Sequence, residues 1–221
     1  TFVSDRWPTE YMHLFTAESA QGEPRECAEG VLEWLPREEL LKIPHWEGDE
    51  IFLKLLWQDA PFFSLKLCYE GDRLVFAAER NHNSGGERMI YTIQNRCLTV
   101  QIEDLGAQLA SIRDSQGREF LWQGSPASWP RRAPILFPVI GRLREGTYLL
   151  NGEPYQITNH GFARDCLFEV LGAEGGEALS FRLTDSPETR RVYPFSFALT
   201  VSYRLEENSL EKAVTVENRS E

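Results

Sequence analysis

The sequence has no long apolar run and no cluster of positive charge. No apolar stretch approaches the roughly 18 residues that a membrane-spanning helix needs, so we predict no membrane span. The formal net charge is −11 without a lysine- or arginine-rich segment, which argues against nucleic acid polymers and anionic membrane surfaces as partners. Small nucleotides are not excluded, because they bind through metal ions or a few local groups. The residues from Thr1 onward also lack the pattern of a signal peptide, and we expect a cytoplasmic protein.

The sequence is also poor in cysteine, with four scattered residues. They form no C-x-x-C pair, and no histidine lies at zinc-ligand spacing, so we predict no metal site. Each cysteine stands alone in an apolar or strand-like context, which favours buried free thiols over disulfides. The four are Cys27, Cys68, Cys97 and Cys166.

Apolar residues are abundant enough for a core, since 42% of the chain is hydrophobic and 12% aromatic. Up to about residue 80 the pattern is mixed α+β. Pro36 followed by acidic residues predicts a helix start, and residues 49–56 place apolar side chains at helical spacing. Residues 62–69 and 73–76 alternate like two strands joined by a turn.

A change of pattern divides the chain. Residues 81–88 are polar, contain glycine and have no periodicity, so we predict a linker between residues 1–80 and residues 89–221. From Met89 onward, short strand-like runs alternate with turn residues, which predicts a mainly β fold, an antiparallel β-sandwich. The runs are residues 90–93, 98–102, 107–112, 119–122, 179–183, 198–205 and 214–218.

Residues 131–165 carry the most specific chemistry. Asn151-Gly152, flanked by apolar residues, is a strong signal for a tight hairpin. Such a hairpin brings Arg142 and His160 to the same end of a sheet, where a polar ligand can bind. A lone histidine beside a glycine is equally compatible with a turn or with a core position whose hydrogen bonds are satisfied.

The same segment resembles the aldose 1-epimerase (galactose mutarotase) family. It matches RxAPILFPxxGRL followed by HGFAR, and LGAQL, LWQG and YPFSF match elsewhere in residues 89–221. The resemblance is to the N-terminal half of the family and implies a large antiparallel β-sandwich, incomplete in this chain, with a sugar cleft across one sheet. It implies a hexose or hexose derivative as the ligand and no cofactor. Trp122 and Trp129 either stack on a pyranose face or belong to the core.

The resemblance also implies roles for three residues. Arg142 and His160 are expected to contact the sugar, and His160 is the candidate catalytic residue of this half. Arg164 is expected either to bind a charged substituent, such as a sugar phosphate, or to pair with Asp165 or another carboxylate at the rim.

The activity that the family implies is interconversion of α and β anomers. A general base takes the proton from the C1 hydroxyl while a general acid protonates the ring oxygen, and the opened ring closes again after C1 has rotated. In the family the main catalytic histidine and glutamate lie further along the chain than a position equivalent to Glu221. We therefore expect the main acid and base to be missing from these residues, and a non-catalytic sugar-binding fragment stays open as an alternative.

Residues 1–80 resemble the C-terminal portion of a Nudix hydrolase. The family's signature helix, which holds Mg²⁺, would lie upstream of Thr1, so Mg²⁺ is expected only if a complete domain precedes it. A nucleotide pyrophosphohydrolase is the alternative function. Because Met89 opens the second pattern directly after the linker, we hypothesise a fusion of two adjacent reading frames. The Nudix-like residues are 29–40, 41–49 and 62–66.

Overall fold

A computed structural model describes residues 1–16, 34–60, 62–81, 88–174 and 176–220. Strands dominate this part of the chain, and helices are short. The helices are α1 (Asp49–Trp57), α2 (Pro187–Val192) and 3-10 turns at Arg37–Lys42, Arg144–Gly146 and Ala163–Asp165. The strands are β1 (Phe2–Ser4), β2 (Phe63–Glu70), β3 (Arg73–Asn81), β4 (Arg88–Gln94), β5 (Leu98–Glu103), β6 (Gln108–Asp114), β7 (Thr147–Leu150), β8 (Glu153–Gln156), β9 (Glu169–Glu174), β10 (Ala178–Thr184), β11 (Phe197–Glu206) and β12 (Ser209–Asn218).

The described strands form two larger sheets and one separate hairpin. The first sheet has the order β1-β2-β3-β4-β5-β6, and the second has the order β12-β11-β10-β9. Neighbouring strands are antiparallel except for the parallel pair β1 and β2. β7 and β8 pair with each other as the hairpin. The predicted mainly β fold is confirmed.

The two larger sheets share one apolar core. Val100 and Ile102 of β5 are fully buried, whereas Gln101 between them is partly exposed, as the alternation of side chains along a strand requires. Phe181 of β10 is also fully buried and meets Tyr91 of β4 edge to face, with ring centroids 5.6 Å apart. The alternating pattern read from the sequence therefore reflects burial on one face of each sheet.

The first sheet continues across the predicted linker. β3 pairs with β4 from Ala77 opposite Thr92 to Asn81 opposite Arg88. The linker residues between these two strands lie outside the described residues. Strands from the mixed first part and from the β-rich second part therefore belong to one hydrogen-bonded layer.

One predicted strand, residues 119–122, is wrong. The structure has only an isolated bridge there, between Arg113 and Glu119. The Glu119 carboxylate instead accepts hydrogen bonds from the backbone N–H groups of Ile112 and Leu121, at 2.8 and 2.9 Å, and from the Ser111 hydroxyl. A side chain thus satisfies backbone donors that a regular strand would have paired.

The cysteine prediction holds only in part. Cys68, Cys97 and Cys166 are free thiols, and Cys27 lies outside the described residues. Cys97 is exposed, because it lies in the turn between β4 and β5, so the prediction of burial is wrong there. Burial raises the pKa of the half-buried Cys68 and Cys166 thiols.

Two further observations concern membranes and metals. None of the helices in the described ranges is long and apolar enough to cross a membrane. The same ranges hold no group of three or more histidine, cysteine, aspartate or glutamate side chains arranged to bind a metal ion.

Candidate functional site

The predicted hairpin joins the two segments that form the candidate site. Asn151 and Gly152 connect β7 to β8 with φ values of 52° and 88°. Positive φ at both central residues is what a type I′ turn requires, and asparagine followed by glycine adopts it at little cost. The hairpin returns the chain so that the residues before β7 and after β8 lie side by side, which brings Gly141 against His160.

Two hydrogen bonds join His160 to Gly141. The His160 backbone N–H donates to the Gly141 carbonyl at 2.9 Å, and the Gly141 N–H donates to His160 Nδ1 at 2.9 Å. Because Nδ1 accepts, the proton of the neutral ring is on Nε2. The imidazole therefore has a fixed tautomer and presents an Nε2–H donor. The ring is half-buried, and His160 has a left-handed backbone with φ of 66°.

Gly161 allows the neighbouring backbone segments to approach closely. A Cβ atom at this position would lie 2.1 Å from the Phe137 carbonyl oxygen, and the residue has φ of 73°. The same oxygen accepts from the backbone N–H groups of Phe162 and Ala163, at 2.9 and 3.2 Å. The two motifs read from the sequence, RxAPILFPxxGRL and HGFAR, are thus hydrogen-bonded to each other through the backbone.

An aromatic cluster supports this crossing. The Phe137 ring lies 5.0 Å from the Phe197 ring and 5.8 Å from the Tyr193 ring, measured between centroids. Phe162 completes the group at 6.0 Å from Phe137. Because Phe197 belongs to β11, the cluster connects the motif segment to the core of the second sheet. These four residues form one aromatic cluster.

Arg142 lies next to the hydrogen-bonded pair that Gly141 and His160 form. It directly follows Gly141 and is exposed, and its guanidinium has no hydrogen-bonding or ionic partner among the described residues. A free guanidinium offers five N–H donors to an oxygen-rich ligand. Arg142 therefore directly follows the residue to which His160 is hydrogen-bonded.

Arg164 occupies a different environment. Its side chain is only 17% exposed. The Nη2 group donates to the Asn159 carbonyl at 2.8 Å, and Nε lies 3.4 Å from Asp165 Oδ2. Arg131 Nη2 approaches the other carboxylate oxygen of Asp165 at 3.2 Å. The expected contact between Arg164 and Asp165 is present, and binding of a charged substituent by Arg164 stays a prediction.

Comparison with known proteins identifies the family. The sequence model of the aldose 1-epimerase family matches residues 89–221. The chain belongs to this family. The protein LacX of Lactococcus lactis is 36% identical over 135 residues, which cover 59% of this chain and 45% of LacX.

Solved structures support the same assignment. A galactose mutarotase related enzyme from Lactobacillus acidophilus is 44% identical with a TM-score of 0.58, over 60% of this chain and 44% of that one. A galactose mutarotase-like protein from Lactobacillus casei is 35% identical with a TM-score of 0.57, over 59% and 45%. This epimerase-family chain thus spans less than half the length of these relatives. Residues 1–88 lie outside the family match, and their resemblance to a Nudix hydrolase stays a prediction.

A buried carboxylate at the end of β5 was not anticipated from the sequence. Glu103, 8% exposed, accepts from Arg132 Nη1 at 2.7 Å and from Gln108 Nε2 at 3.0 Å. The signals for it were present, since Gln108 is part of LGAQL and Arg132 lies within the RxAPILFP motif. Gln108 was read only as part of a family motif, and Arg132 occupies the variable position of its motif. Glu103 is 29 residues from Arg132 in the sequence, so their pairing left no local signal.

The two tryptophans proposed for the site are not core residues. Trp122 and Trp129 are each 50% exposed. The Trp122 indole N–H donates to the Trp129 carbonyl at 3.0 Å, which fixes one ring relative to the other segment. Their exposure leaves the stacking role open in this epimerase-family chain.

The site offers hydrogen bonding and positive charge. The Nε2–H of His160 and the guanidinium of Arg142 are donors suited to a ligand rich in oxygen acceptors. His160 is the only histidine in residues 89–221.

Proposed function

We propose that residues 89–221 form part of an aldose 1-epimerase site and bind a hexose or hexose derivative through Arg142 and His160. Two observations support the proposal: the Gly141 N–H fixes the tautomer of the His160 imidazole, and Arg142, the next residue after Gly141, has a guanidinium without a partner among the described residues. His160 Nε2–H donates to a hydroxyl or to the ring oxygen, and Arg142 donates to neighbouring oxygens. Both groups favour a polar ligand with many acceptors, and neither needs a cofactor.

We propose interconversion of anomers as the activity of the complete enzyme. Proton removal from the C1 hydroxyl and proton delivery to the ring oxygen open the ring, and the reverse transfers close it on either face. We assign His160 the role of holding the ring oxygen, and further acid and base groups are needed for both proton transfers. Because the chain spans less than half of its relatives, catalysis is proposed for the longer protein and sugar binding for these residues.

Sugar titration followed by NMR of backbone amides tests the binding site. We expect glucose or galactose to shift the amides of residues 141–142 and 160–161. Arg142→Met should weaken binding about tenfold or more, because a hydrogen bond from a charged group is worth roughly 1.5–3 kcal/mol. Arg144→Met is the matched control, since that side chain is 94% exposed and lies 4.0 Å from Glu145. Equal affinity in the two variants would exclude Arg142 from the site.

Polarimetry of freshly dissolved α-glucose distinguishes the epimerase from the binding fragment. Binding without faster mutarotation would assign only sugar binding to these 221 residues. Faster mutarotation that is lost in His160→Gln would assign anomer interconversion to them.

A further inference from the structure

The contacts of Arg164 point to a role different from that of Arg142. We propose that Arg164 is a positioning residue, which orients His160 by holding the peptide group that precedes it. The inference rests on the proposed function, since it concerns the same sugar site. It replaces direct sugar or phosphate contact as the main role of this arginine.

The decisive geometry is a single peptide plane. The Asn159 carbonyl and the His160 N–H belong to the same planar peptide group. The carbonyl accepts from Arg164 Nη2 at 2.8 Å, and the N–H donates to the Gly141 carbonyl at 2.9 Å. Arg164 and Gly141 thus hold this plane from opposite ends. Its orientation determines where the His160 imidazole projects.

His160 needs such support because of its conformation. A φ of 66° is uncommon for a residue with a side chain, and it persists where surrounding contacts enforce it. The turn is also closed locally, since Gly161 N–H donates to the Thr158 carbonyl and Thr158 Oγ1 donates to the Gly161 carbonyl, both at 2.9 Å. Arg164 adds a second contact from outside the turn, beside the one from Gly141.

Arg164 is itself held on two sides. Asp165 lies between Arg164 and Arg131, with one carboxylate oxygen facing each guanidinium. The Arg164 backbone packs on the turn between β5 and β6, where a Cβ atom at Gly106 would lie 2.8 Å from the Arg164 carbonyl oxygen. The Gly106 N–H donates to the Cys166 carbonyl at 2.8 Å, which fixes this contact. The arginine therefore connects the turn of His160 to the first sheet.

The test uses a signal from His160 that exists without sugar. We would record the ¹⁵N shifts of the imidazole nitrogens and the exchange rate of the His160 amide in the full chain, identifying the ring signals by their loss in His160→Gln. In Arg164→Met we expect a mixture of ring tautomers in place of Nε2–H alone. We also expect amide exchange about tenfold faster or more, as the loss of one stabilising hydrogen bond implies. Sugar affinity should fall with these changes.

A conservative variant separates positioning from general damage. Lysine at this position can still donate to the Asn159 carbonyl, but it cannot also engage Asp165 as a guanidinium does. Arg164→Lys should therefore restore most of the His160 tautomer and amide protection, whereas the exposed control Arg144→Met should leave both unchanged. If the His160 tautomer and amide protection recover in Arg164→Lys, their loss in Arg164→Met comes from the missing hydrogen bond and not from unfolding of the chain.

Failure of the positioning proposal can be distinguished from failure of the proposed sugar site. Unchanged imidazole shifts and unchanged amide exchange in Arg164→Met would overturn the proposal, whether or not sugar binds. Lower sugar affinity with unchanged His160 signals would also overturn it, in favour of direct contact between Arg164 and the ligand. If the wild-type chain binds no sugar, the proposed function fails while the His160 signals still decide the positioning role.

Discussion

Gly161 is the position at which a single methyl group should cause the most local damage to the site. A Cβ atom there would lie 2.1 Å from the Phe137 carbonyl oxygen and 2.5 Å from its carbon. Alanine would also have to adopt a φ of 73°, at a cost of about 1–2 kcal/mol. Relief of the overlap would separate the segments and weaken the bonds from Phe162 and Ala163, each worth roughly 0.5–1.5 kcal/mol. We expect Gly161→Ala to lose about 2–5 kcal/mol of stability in total.

Equilibrium unfolding in urea measures this loss, and Gly117 provides the control. Gly117 has φ of 79°, but a Cβ atom there would meet nothing within 4 Å, so alanine adds only the conformational cost. We expect Gly117→Ala to lose about 1–2 kcal/mol. The difference between the two variants isolates the steric overlap with Phe137. Equal losses would refute the argument from close approach.

Three further predictions concern residues that stabilise the fold. Burial acts to raise the pKa of Glu119, but hydrogen bonds from Ser111 and two backbone N–H groups outweigh it and lower that pKa below 4.5. Glu119 therefore stabilises the fold above pH 4.5, and this contribution is lost as the pH falls through the lower pKa of the folded state. The difference in free energy of unfolding between the wild type and Glu119→Gln, measured in urea, should shrink over the same range. Tyr203→Phe should cost about 1–3 kcal/mol in the same assay, because the buried Ala107 carbonyl loses its 2.7 Å donor. Phe181→Ala should cost about 3–5 kcal/mol by opening a cavity in the core, and a loss below about 1 kcal/mol would contradict its central place there.

The strands and the hairpin could be predicted because their signals are local. Alternation around Val100 and Ile102 reports one buried face of a strand, and Asn151-Gly152 encodes its own turn geometry. The strand at residues 119–122 failed for an equally physical reason. Its apolar pattern is similar to that of a strand, but the Glu119 carboxylate takes up the backbone donors that a partner strand would have used.

The candidate site could be predicted in its residues but not in its contacts. Family motifs singled out Arg142 and His160 as sugar contacts and left Arg164 with two alternatives, a charged substituent or a carboxylate such as Asp165. Their environments differ because each depends on what lies opposite in space. Arg142 is exposed and has no described partner, whereas the Arg164 guanidinium is directed to the Asn159 carbonyl by Asp165. Motif spacing carries no information about that direction.

The pairing of β3 with β4 shows why a change of sequence pattern need not coincide with a boundary between layers. The sequence pattern changes around residues 81–88, and the family match begins at residue 89. The pairing of strands depends instead on the backbone. Without β3, the N–H and C=O groups on that edge of β4 would lack partners. β3 provides these partners from Ala77 to Asn81. β4, the strand with which the family-matched part begins, is therefore paired on both edges, with β3 on one side and with β5 on the other.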